Sequence, residues 1–190
     1  MAIISVIVGS TRQGRFSEKP ARWILGHLQK RAGIEARLLD LRDYQLPFFD
    51  EPIPPGRAPY ENEAVRRWTT AIAAADGFAF VTPEYNHSIP AVLKNAIDYV
   101  LPEWKRKAAA FISYGGTNGV RAVEQLRQII LEIQLASVPK ALHIPVQALA
   151  AHFQGGDVDS ALAELEAPAN AMIDDLLWWT TTLKAARLAG

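Results

Sequence analysis

Apolar residues follow two alternating rhythms along this chain. Short, nearly continuous runs occur at residues 2–8, 77–82 and 108–114, and more mixed ones at 34–41 and 140–146. The first three predict strands of a parallel sheet covered on both faces, and the other two complete the set of strands. Between them, apolar positions recur at helical spacing: Ala21, Ile24, Leu25 and Leu28; then Val65, Trp68, Thr69 and Ile72; then Leu93, Ala96, Ile97 and Val100; then Ala122, Leu126, Ile129 and Ile133. Each set marks one buried helical face. Ser17 suits the cap of the first helix, and Gly33 ends that segment. Residues from about 159 to 188 predict a further helix, broken near Pro168, with Met172, Leu176, Trp179 and Leu183 as its stripe. Residues 51–59 hold four prolines and a glycine, which excludes helix and central strand and leaves a loop.

Five strands alternating with helices mean a parallel sheet with helices on both faces. The right-handed crossover rule leaves few topologies, of which the flavodoxin-like order 2-1-3-4-5 is one. The expected fold is therefore an α/β three-layer sandwich, formed by residues 1–190 as one domain. In that order the first, third and fourth strands are neighbours. The loops after them, starting at Ser10, Pro83 and Tyr114, converge on one edge, where open α/β sheets bind ligands.

Composition narrows the function. About half of the 190 residues, 49%, are apolar and there is no cysteine, which removes disulfide, cysteine–metal and thiol-nucleophile chemistry. Formal net charge is zero, against a nucleic acid or an anionic membrane as main partner. The N-terminal stretch has no basic start and is too short for a signal peptide or a spanning helix, so a cytoplasmic location is expected. His27, His87, His143 and His152 lack metal-ligand spacing, and no Gly-x-Ser-x-Gly elbow occurs.

The three loops carry the chemistry. Gly9-Ser10-Thr11-Arg12-Gln13-Gly14-Arg15-Phe16-Ser17 offers hydroxyls, two arginines and backbone amides at a helix start, the ingredients of a phosphate cradle. It matches neither the P-loop nor the G-x-G-x-x-G fingerprint. The second loop, Pro83-Glu84-Tyr85-Asn86-His87-Ser88-Ile89-Pro90, sets flat hydrogen-bonding groups and the Tyr85 ring between two prolines. Glu84 is its only carboxylate and is read as loop structure. The third, Ser113-Tyr114-Gly115-Gly116-Thr117-Asn118-Gly119, allows close backbone approach and a stacking ring from Tyr114.

The segment from Gly9 to Ser17, and the longer one from Pro83 through Asp98, resemble the two signature segments of the NADPH-dependent FMN reductase family, which includes flavodoxin-like quinone, azo-dye and chromate reductases. The resemblance implies a non-covalent FMN. Ser10, Arg12, Arg15, Phe16 and Ser17 would hold its phosphate and ribityl chain. Pro83, Glu84, Tyr85 and Asn86 would lie along the ring, with Ser88 closing that loop, and Ser113, Tyr114, Gly115 and Gly116 would close the other edge. No side chain is required as nucleophile or base. The resemblance further implies NADPH or NADH as electron donor, a small-molecule acceptor taken in a ping-pong cycle, and a homodimer or homotetramer. A spare arginine in the first loop would suit a 2′-phosphate. Many relatives carry a further double glycine in the third loop, which is absent here. The rival function is a flavin-binding electron carrier or redox sensor without turnover; carriers of this fold tend to be strongly acidic, and this chain is neutral.

Overall fold

The computed structural model describes residues 1–190. Five parallel strands, β1 (Ala2–Val8), β2 (Ile34–Asp40), β3 (Gly77–Pro83), β4 (Ala108–Tyr114) and β5 (Ala136–His143), form one sheet in the order β2-β1-β3-β4-β5. Helices α1 (Glu18–Gln29), α5 (Val146–Gln154), α6 (Val158–Ala163) and α7 (Glu166–Ala189) cover one face, and α2 (Glu63–Ala74), α3 (Ala91–Asp98) and α4 (Val120–Glu132) the other. The flavodoxin-like order expected from the alternating runs is the one present. β3 and β4 are buried at every residue, as a central strand between two helical layers requires.

Each layer has its own core. Beneath α2 to α4 an aromatic cluster joins Trp68, Trp104, Phe78, Phe80 and Phe111, with Phe78 and Trp104 edge to face at 4.8 Å. Both indoles are fully buried, and each donates its N–H to a carbonyl of α3: Trp68 to Ala96 at 2.8 Å and Trp104 to Ile97 at 3.3 Å. On the other face Ala169, Met172, Ile173 and Leu176 of α7 pack on β-strand residues such as Ile4 and Ile112. The end of α7 is fixed by charge. Asp76 accepts from the backbone of Ile3 at 2.9 Å and pairs with Lys184 at 2.7 Å and Arg187 at 2.8 Å.

Four local expectations are corrected. β5 begins at Ala136 and ends at His143, earlier than residues 140–146. Pro139 cannot donate to the ladder, and the pairing shifts register around it, from Ala109↔Ser137 to Phe111↔Ala141. Such an irregularity is tolerated here because β5 is an edge strand. Residues 146–154 then form α5, which the apolar spacing did not reveal. Pro168 does not break the last helix. It sits in the first turn of α7, where its missing amide has no helical acceptor to lose, and the break falls at Glu164–Leu165. Ser17 precedes α1 but already has helical angles and makes no capping bond; its hydroxyl goes elsewhere.

Candidate functional site

Adjacency of β1, β3 and β4 brings the three loops to one cavity of about 200 Å³. Its walls are Arg12, Arg15 and Phe16 of the first loop, Pro83, Glu84 and Tyr85 of the second, and Tyr114, Gly115 and Gly116 of the third. Leu149 and Phe153 of α5 complete it. The loops are tied to each other by side chains. Tyr85 and Ser10 hydroxyls lie 3.0 Å apart, and Ser17 and Tyr114 hydroxyls 2.5 Å apart. Burial pushes the Tyr114 phenol up to about 12, the Ser17 hydrogen bond opposing, so it is neutral at any ordinary pH.

The two arginines of the first loop do different work. Arg15 is inward: its side chain is 1% exposed and pairs with Asp40 at the end of β2 and with Glu18, 2.8 Å away. One guanidinium nitrogen also donates to the Ser10 carbonyl. Burial alone would favour the neutral side chain, but Asp40 and Glu18 outweigh it and raise the Arg15 value further. The same pairing holds Asp40 below the usual carboxylate range, against its own burial. Arg12 is exposed, and its guanidinium has no partner within the chain. Arg42, absent from the sequence-derived set, clamps the loop from outside through the carbonyls of Thr11 at 3.2 Å and Arg12 at 2.5 Å. It lies 30 residues away from Arg12 along the chain, and only the pairing of β1 with β2 brings it close.

The second loop is a tight two-residue turn. Tyr85 and Ser88 exchange backbone hydrogen bonds at 2.9 and 3.0 Å, and Asn86 and His87 between them have φ of 48° and 74°. Two successive left-handed residues define a type I′ turn, which favours Asn. Asn86 thus has a conformational reason to be there, apart from any ligand. Ser88 contributes through its backbone.

Glu84 is directed at the third loop. Its side chain is 4% exposed and accepts from the Thr117 hydroxyl at 3.0 Å, from the Arg121 amide at 3.2 Å and from the Arg121 guanidinium at 2.6 Å. Burial pushes the carboxyl up, but these hydrogen bonds and the Arg121 charge prevail, leaving it below its usual value. An ionised group so held is a brace, the structural role expected of this loop's only carboxylate. Gly115, with φ of 153°, packs against that brace, a Cβ there lying 3.1 Å from the Glu84 Cβ. Gly119 closes the loop with φ of 76°; a Cβ would fall 2.7 Å from the Tyr114 amide nitrogen, so only glycine fits. Ser113 is buried, and its hydroxyl serves the loop itself, donating to the Asn118 carbonyl at 2.9 Å with His143 Nδ1 at 2.8 Å. Burial, aided by Arg127, lowers the His143 value.

With these bonds made, the backbone amides of Thr11, Gln13, Gly14 and Phe16 in the first loop, Asn86 and His87 in the second, and Gly115 and Gly116 in the third donate to nothing within the chain. Phe16, Gly115 and Gly116 line the cavity, while Thr11, Gln13, Gly14, Asn86 and His87 lie in exposed parts of the same loops. Free amides near a helix start and in a glycine pair suit a ligand with an anionic end and a ring bearing carbonyl edges. No three His, Asp or Glu side chains are placed to hold a metal ion, and no helix is long and apolar enough to cross a membrane.

Known proteins agree with that chemistry. The sequence profile of the NADPH-dependent FMN reductase family matches residues 2–148. An NAD(P)H-dependent FMN reductase of Nectria sp is 37% identical over 168 residues, 85% of this chain and 81% of the relative. One of Schizosaccharomyces pombe is 40% identical over 147 residues, covering 75% and 73%. A quinone reductase of Pseudomonas putida is 33% identical over 147 residues, 73% of this chain and 75% of the relative. The solved flavoenzyme NAD(P)H:(acceptor) oxidoreductase of Paracoccus denitrificans superposes with a TM-score of 0.69 at 28% identity, covering 95% of this chain and 98% of that one. On the profile match and the length of these alignments, the chain belongs to the NADPH-dependent FMN reductase family and is an oxidoreductase working with FMN and a nicotinamide donor.

Proposed function

We propose that the three-loop cavity seats FMN, and that the protein passes two electrons at a time from NADPH or NADH to a small organic acceptor of the quinone kind in a ping-pong cycle. The observation that carries this is the meeting of three loops at one cavity, with the unpartnered amides of Phe16, Gly115 and Gly116 in its wall. The residues fit the cofactor. Amides of residues 11–16 and the free guanidinium of Arg12 would take the phosphate, with the start of α1 adding its dipole, worth about 0.3–1 kcal/mol. Arg15 would act indirectly by holding Ser10 and the loop in shape, since its own donors are engaged. Pro83 and Tyr85 would line the ring, the Asn86–His87 turn following them at the cavity's rim, and Gly115-Gly116 would let the backbone approach its far edge.

Bound FMN supplies the chemistry, accepting a hydride from the nicotinamide and delivering two electrons to an acceptor. The chain orients and shields. Tyr114, neutral and tied to Ser17, offers a fixed ring at the cavity wall and no charge that would oppose an electron-rich cofactor. Glu84 keeps the second and third loops in register and holds no transferable proton. The acceptor is drawn from the quinone reductase relative and from the apolar walls of Phe16, Leu149 and Phe153. We extend the proposal to a homo-oligomer of single-domain chains, supported by Phe48 at 81% exposure just before the Pro-rich loop and Ile53 at 49% on it. Light scattering of the purified protein tests that part.

The deciding experiment is anaerobic visible spectroscopy of the protein with FMN, then NADPH or NADH, then a quinone. Bleaching by a nicotinamide and recovery with quinone, with parallel lines in double-reciprocal initial-rate plots, are expected. Flavin that binds but resists both nicotinamides would replace this reading with the carrier or sensor.

A further inference from the structure

α5 is tied to the cavity loops at both ends and reaches the core only through Ala148, with Leu149 and Ala151 packed at its edge. At its start the Val146 amide donates to Asn118 Oδ1 in the third loop at 2.9 Å. Near its end His152 Nε2 lies 3.3 Å from the Gly14 carbonyl in the first loop, and its ring meets Phe16 edge to face at 5.3 Å. Between those ties Leu149 and Phe153, one helical turn apart, face the cavity. Of the nine residues of α5 only Ala148 is buried, and Phe153 remains 59% exposed. Pro145 precedes the helix, and Gly155, at φ of 75°, and Gly156 follow it; their amides cap the helix on the Ala151 carbonyl, and glycine leaves the backbone there free to change once that cap opens. The cavity beneath holds about 200 Å³. Sites for drug-sized ligands enclose about 300–1,000 Å³. FMN is of that size, so part of the wall must move to seat it within the cavity.

We propose that α5 is a strap across the flavin cavity, that Leu149 and Phe153 are flavin-contacting residues, and that the strap swings away from the first loop to admit and release FMN. This rests on the reading that the cavity takes FMN. The His152–Gly14 tie is the latch, because at 3.3 Å it is the weaker of the two polar attachments and lies beside the glycine pair. Opening uncovers Phe16, which is buried in the closed arrangement, and closing buries the bound flavin's face against two apolar side chains.

The test is stopped-flow FMN binding to apoprotein, read by quenching of flavin fluorescence. His152→Ala should raise the association and dissociation rate constants together, each ~5-fold, the factor set by losing one net hydrogen bond, and leave Kd within about twofold. His152→Gln, which keeps a donor, should restore the original rates. Phe153→Ala, a change at an exposed position, should speed entry, and should speed release more because part of the flavin's face is left uncovered. In the apoprotein, amides of α5 should exchange hydrogen faster than those of α4 and become protected when FMN binds. Faster release with unchanged entry in both variants would make α5 a fixed wall and overturn the strap. Rates unchanged in both, or α5 amides as protected as those of α4 without FMN, would overturn it too. Absence of FMN binding by the unaltered protein is a different result: it would remove the FMN reading and the strap with it.

Discussion

Glu84→Gln separates a structural carboxylate from a catalytic one. The substitution keeps the shape and one carbonyl oxygen, and removes the charge that Thr117 and both groups of Arg121 address. Hydrogen bonds to a charged group contribute about 1.5–3 kcal/mol net each, but the bonds here share one anion, and Arg121 is 41% exposed, so water takes up the released guanidinium. The expected loss is about 1–2 kcal/mol, or about 2–8 °C in Tm for a chain of this size. The pH dependence follows from the lowered Glu84 value. The brace contributes fully above the unfolded carboxyl value of about 4.3 and is lost as pH falls through the lower folded value. Urea unfolding of both proteins from about pH 7 to about pH 3.5 should therefore show a gap that closes toward the acid end. An equal gap at both ends would mean that the charge is not what holds the two loops. Turnover is the second half of the test. With FMN saturating, kcat of the variant should stay within about threefold of the original; loss of a general acid costs about 100-fold or more. A drop of that size with flavin still bound would refute the structural assignment.

Arg12→Ala and Arg15→Ala should part company. The first should weaken FMN binding about 10-fold at unchanged Tm, the effect of removing one charge-assisted hydrogen bond to the phosphate. The second should chiefly destabilise, by about 1–3 kcal/mol, because Asp40 and Glu18 lose their buried cation while Asp40, 19% exposed, keeps the Arg42 amide; calorimetry and FMN titration distinguish the two. Asn86→Ala should cost about 1–2 kcal/mol through its left-handed backbone, while Asn86→Gly should restore stability, and the difference in urea midpoints measures how much of that position is turn. Lys107 donates from a buried site to the Ile72 and Ala73 carbonyls at 2.8 and 3.0 Å, and burial, with Arg187 assisting, pushes it down to about 8. Its unfolded value is about 10.4, so between the two the unfolded chain binds more protons and stability rises with pH. Lys107→Met should lack that rise when urea midpoints at about pH 8 and pH 10 are compared.

The strands and the ligand edge were legible because they depend on local pattern plus one topological rule. Short apolar runs bounded by turn residues at 2–8, 77–82 and 108–114 read as interior strands, and the order then sets which loops meet. The helix α5 was not legible, because its sequence, rich in alanine between Val146 and Gln154, presents no apolar stripe deep enough to bury. Its markers were end signals, Pro145 before it and Gly155 after it. β5 was displaced because Pro139 looks like a boundary, whereas an edge strand can shift register around it.

What a polar residue does was harder to read than where it lies, and the first loop shows why. Arg12 and Arg15 are three residues apart, chemically identical, and both beside a helix start. Which of them faces a ligand depends on whether a carboxylate waits on the inner side. That carboxylate is Asp40, 25 residues further on, delivered by the pairing of Val8 with Asp40 at the ends of β1 and β2. The same holds for Glu84, whose partner Arg121 is 37 residues away and arrives only because β3 lies beside β4. Charged residues in these loops therefore divide according to sheet order. Those with an opposite charge on the neighbouring strand's exit become braces, and those without one, such as Arg12, keep their donors for whatever enters the cavity.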